Sequence, residues 1–75
     1  MGYYEEVQAM NQDLDKVFER IKAAKIEVSK KKLLHQMTTI YKVGMLTVKK
    51  RIDFLLDVDD EVIIEGDTLR CSQLL

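Results

Sequence analysis

The stretch Ser29–Cys71, SKKKLLHQMTTIYKVGMLTVKKRIDFLLDVDDEVIIEGDTLRC, decides the fold. Leu33, Leu34, Met37, Ile40 and Tyr41 recur at helical spacing, and Ser29 just before them suits a helix N-cap. Gly44 breaks that pattern and can open another helix, along which Val48, Ile52, Leu55 and Leu56 share one face. Asp57-Val58-Asp59-Asp60 ends it. Val62–Cys71 then reads as a hairpin turning at Gly66-Asp67, where a glycine in the first turn position fits a type II′ or I′ two-residue loop.

Upstream, Lys25-Ile26-Glu27-Val28 alternates polar and apolar residues and predicts a short strand. Before it, Tyr3, Val7, Met10, Leu14, Val17, Ile21 and Ala24 are spaced four and three apart in turn, a heptad pattern over a helix from Tyr3 to Ala24. Phe18 widens the stripe. This face can pack on its own domain or on a second copy. Three heptads exceed what so small a core covers, so Tyr3, Val7, Met10, Leu14, Val17 and Ile21 are expected to form a homodimer interface. The chain is thus predicted to be one α+β, mostly helical domain over residues 1–75, with three helices and a small antiparallel sheet.

Composition excludes several classes. With 33% charged and 47% hydrophobic residues and no proline, the 75-residue chain is a compact globular sequence and not a disordered one. No apolar run approaches the roughly 20 residues that span a bilayer, so no membrane partner is expected. The lone Cys71 cannot form an internal disulfide, which favours a reducing, cytoplasmic setting. One histidine and one cysteine cannot furnish a Cys/His zinc site, and no glycine-rich phosphate loop is present. His35, beside Leu34, reads as a helix-surface or partly buried residue. The carboxylates Asp57, Asp59, Asp60 and Glu61 lack calcium-loop spacing and read as a solvated turn. Neither an enzyme, a metal, a cofactor nor a small-molecule ligand is expected.

The net charge of −1 hides a strong segregation. Residues 1–21 carry five acids against Lys16 and Arg20, and residues 52–75 carry seven acids against Arg70. Between them, residues 22–51 carry nine bases against Glu27 alone. A clustered positive field of this kind attracts phosphate backbones. Ser29, Lys30, Lys31 and Lys32 open a helix, where free N–H groups and three ammonium groups make a candidate phosphate contact. Thr47, Lys49, Lys50 and Asp53 project away from the Val48/Ile52/Leu55 face and are candidate base-edge or phosphate contacts.

The order of strand, helix, tight turn, helix and hairpin over about residues 25–72 resembles the winged helix-turn-helix family. The family's third helix commonly follows a glycine, an aliphatic residue and a serine cap, then carries two variable residues, Thr-Val, three variable residues and an aliphatic. Here those slots hold Lys42, Val43, Gly44, Met45-Leu46, Thr47-Val48, Lys49-Lys50-Arg51 and Ile52, with Leu55 in the next core slot. The turn glycine and the serine cap are therefore replaced. Met45 and Leu46 fill slots that face the groove in DNA-binding relatives; apolar groups there can touch a thymine methyl.

The resemblance implies a sequence-specific double-stranded DNA-binding protein, a transcriptional regulator with its third helix in the major groove. As a homodimer it would read half-sites about one helical turn apart. The hairpin tip Glu65-Gly66-Asp67-Thr68 is acidic where DNA-gripping wings are basic, so the wing is expected to be scaffold. The alternative is a winged-helix protein-interaction adaptor without DNA binding, which Met45, Leu46, Phe54 and the heptad helix favour.

Overall fold

The computed structural model describes residues 2–73. Its elements are α1 (Tyr3–Ala24), β1 (Val28–Ser29), α2 (Lys30–Ile40), α3 (Met45–Val58), β2 (Val62–Glu65) and β3 (Thr68–Cys71). The three helices pack beside a small antiparallel sheet in the order β1-β3-β2, an α+β arrangement.

Each helix starts and stops for a local reason. α2 begins at Ser29, whose hydroxyl accepts a hydrogen bond from the Lys32 N–H at 3.2 Å and satisfies a donor that the first turn leaves free. Gly44 opens α3, and Asp59 closes it with its N–H bonded to the Leu55 carbonyl at 2.9 Å. α1 ends where Lys25 turns left-handed, at φ 57°, a conformation that costs any residue with a Cβ. This turn consumes the start of the expected 25–28 strand. Only Val28 and Ser29 pair with β3, opposite Leu69 and Thr68, while Ile26 packs on the core outside the sheet.

The hairpin has the predicted two-residue turn, with Glu65 opposite Thr68. Of the turn pair only Gly66 has a positive φ, 61°, which is the II′ pattern and not I′.

The core draws on every layer. Leu33 and Met37 of α2, Val48 and Ile52 of α3, and Val62, Leu69 and Cys71 of the sheet close around α1. From α1 come Met10, Leu14, Phe18 and Ile21, all sealed from solvent. Here the sequence expectation is corrected: Met10, Leu14 and Ile21 belong to the chain's own core and offer nothing to a partner. The buried line swings toward Phe18, leaving Val7 and Val17 half-buried and Tyr3 59% exposed at the helix start. The reason is volume. α3 and the sheet pack along one face of α1, and Leu33 and Met37 of α2 complete the core, so the centre of the heptad stripe is covered within a single chain.

Candidate nucleic-acid interface

α2 and α3 meet at their polar edges through one ion pair. The Lys30 ammonium reaches Asp53 Oδ1 at 2.9 Å, drawing the start of α2 against the middle of α3. Asp53 stands one helical turn beyond Lys49 and Lys50, so the pair sits beside them. Two residues expected to meet DNA therefore hold each other. Lys30 is mostly covered, while Asp53, about half exposed, spends its charge on Lys30.

The anion cradle at the α2 N-terminus is also occupied. Asp67, from the hairpin turn, accepts hydrogen bonds from the Ser29 hydroxyl and from the Lys31 N–H at 3.1 Å, and its carbonyl accepts from the Lys30 N–H at 2.7 Å. The Ser29 hydroxyl chiefly, with the Lys31 N–H and nearby lysines, holds the Asp67 carboxyl below its ordinary value. Ser29 is thus a cap clamped by a carboxylate, and the phosphate site expected at its hydroxyl is filled by the protein itself. The acidic hairpin tip is scaffold of a definite kind, latching the turn to α2. Arg70, the hairpin's cation, is held by Glu65, which lowers the Glu65 pKa and raises that of Arg70.

What remains exposed is Lys31 and Lys32 on the first turn of α2, and Met45, Leu46, Lys49 and Lys50 on the first turns of α3. Among the described residues none of these four lysines takes part in an ion pair; Lys22, Lys30, Arg51 and Arg70 do. Thr47 is half-buried and shares a 3.0 Å hydrogen bond with the Tyr3 hydroxyl, so this candidate contact is turned toward α1. Arg51 likewise leans to α1, its guanidinium 3.5 Å from Asp15 and 5.1 Å from the centre of the Phe54 ring.

A strip of α3 is left open between its two neighbours. On one side Asp53 is bound to α2; on the other Thr47 and Arg51 are bound to α1. Between them lie Leu46, Lys50 and Phe54, four residues apart along one line, followed by Asp57. Leu46 is 64% and Phe54 51% exposed.

Sequence reasoning missed two acids. Besides Asp67, Asp59 serves as a joint at the far end of α3. Its Oδ2 receives Lys22 of α1 at 2.7 Å and its Oδ1 accepts from the Glu61 N–H at 3.1 Å. The Lys22 hydrogen bond lowers the Asp59 pKa, and the same contact raises that of Lys22. Ser29 and Lys22, the side chains that Asp67 and Asp59 hold, lie far from them along the chain, so no local spacing signals these contacts. His35 is exposed on α2, with its carbonyl accepting from Thr38 and Thr39.

No helix among the described residues is long and apolar enough to cross a membrane. Comparison with protein-family models, with curated protein sequences and with solved structures finds no match to this chain.

Proposed function

We propose that this chain is a winged-helix module that binds double-stranded DNA, with α3 in the major groove and α2 on the sugar-phosphate backbone, acting in transcriptional regulation. The observation that carries the reading is the open basic edge of the α2–α3 pair. Four exposed lysines, Lys31, Lys32, Lys49 and Lys50, cluster there, while the acids nearest them, Asp53 and Asp67, are bound within the protein. Asp67 already fills the backbone cradle at the start of α2, so Lys31 and Lys32 contribute through their exposed ammonium groups. The element order and the strand order β1-β3-β2 support the same family resemblance.

The heptad seam gives no ground for a palindromic site, because its central residues are internal. One chain with three or four lysine–phosphate contacts, according to whether Lys50 meets a base or a phosphate, predicts that log K falls with log salt at a slope of about −3 to −4. Fluorescence anisotropy with a labelled random 20-base-pair duplex at several salt concentrations measures this slope. Lys49→Glu combined with Lys50→Glu is expected to remove binding without changing the fold. A slope near zero, or full affinity in the double variant, overturns the DNA reading. The exposed Met45, Leu46 and Phe54 favour a second reading, a protein-interaction adaptor, which predicts no duplex binding even at low salt.

A further inference from the structure

Resting on the DNA reading, we propose that Leu46 and Lys50 are its specificity-determining residues and that the preferred site pairs a thymine with a guanine about two base pairs away. Of the other side chains that could have read bases, Asp53 is tied to Lys30, Thr47 to Tyr3 and Arg51 to Asp15, and Met45 lies off the open strip, beyond Asp53 around the helix. Asp53, Thr47 and Arg51 each make a contact to a neighbouring helix, and turning one onto a base would undo that contact. Phe54 sits under the Arg51 guanidinium, and Asp57 lies further along α3, away from the N-terminal turns that meet base edges in this kind of docking.

Leu46 and Lys50 are what the open strip presents at its leading end. Leu46 ends in two methyl groups and is 64% exposed, so it can cover a thymine C5-methyl in the major groove, the one apolar feature on a base edge. Lys50 is an exposed ammonium with three donors and no acceptor, so it selects guanine, whose N7 and O6 are both acceptors. Four residues of helix rise about 6 Å, close to two base-pair steps. Lys49, next to the strip and on the α2 side, serves the backbone with Lys31 and Lys32 and carries no base preference.

The test selects bound sequences from a random duplex pool with the full chain, then resynthesises the preferred duplex in two altered forms. One has deoxyuridine for thymidine, which deletes only the methyl; the other has 7-deazaguanine, which deletes only N7. Loss of the methyl contact is expected to weaken binding about fourfold, and loss of the guanine acceptor about tenfold. Leu46→Ala should bind the thymine and uracil duplexes alike, and Lys50→Ala should bind the guanine and 7-deazaguanine duplexes alike. Leu46 is mostly exposed, so its truncation leaves the core intact, which a urea melt verifies. No enriched sequence, or altered duplexes bound within twofold of the parent, overturns this inference while salt-dependent DNA binding stands. No measurable affinity for any duplex at low salt overturns the DNA reading and this inference with it.

Discussion

Leu14→Ala distinguishes an internal core from a dimer seam by its size and by its dependence on concentration. Leu14 is fully buried in the core that α1 shares with the rest of the chain. Truncation removes three carbons, about 2.4 kcal/mol of transfer free energy at ~0.8 kcal/mol each. The cavity left behind adds to this, for a total of about 3–4 kcal/mol. A domain of this length is expected to be stable by roughly 4–11 kcal/mol, so the variant loses a large fraction of its stability. With a urea slope of about 1 kcal/mol/M for a small domain, the midpoint should fall by about 3 M or the variant should be unfolded outright. Equilibrium urea unfolding followed by circular dichroism, run at 2 protein concentrations about fiftyfold apart, is the assay. Tyr3→Ala, at the other end of the same heptad pattern and mostly exposed, serves as the control and should cost less than about 1 kcal/mol. The reasoning is refuted if the Leu14→Ala shift is below about 1 M. It is equally refuted if the wild-type midpoint rises with concentration and Leu14→Ala abolishes that rise, for then the residue would lie in an interface between copies.

Two further perturbations test the joints that hold the helices in place. Asp59 and Asp67 both have pKa values lowered from the ordinary 3.8, so their contribution is fully present above that value and disappears as pH falls through the lower folded value. Thermal melts from pH 6 to pH 2 should therefore show an acid limb below about pH 4 that Asp59→Asn with Asp67→Asn flattens; an unchanged limb would count against both contacts. Lys25→Gly removes the left-handed penalty at φ 57° and should raise stability by about 0.5–1 kcal/mol, offset in part by the lost 3.4 Å contact between the Lys25 ammonium and the Cys71 sulfur. A fall in melting temperature would show that this contact outweighs the backbone strain.

The parts legible in the chain are those with short-range causes. Ser29 caps α2 because its hydroxyl reaches an N–H three residues on, and Gly66 turns the hairpin at a positive φ that suits glycine. The helical spacing of Leu33, Met37, Val48 and Ile52 and the hairpin around Gly66-Asp67 follow from periodicities of a few residues. Those features place three helices and the hairpin, and the local excess of lysine between residues 22 and 51 marks the basic edge.

Which charges remain available at that edge was not legible, since each answer depends on a partner remote in sequence. Asp67 neutralises the α2 cradle from 38 residues away, Lys30 takes Asp53 from 23, and Tyr3 takes Thr47 from 44. The heptad of α1 is the clearest instance. Spacing establishes that one face of the helix must be covered, but it is silent about what covers it. Burial depends on the volume that α2, α3 and the sheet jointly enclose, and that volume exists only once the chain has closed around Met10, Leu14, Phe18 and Ile21.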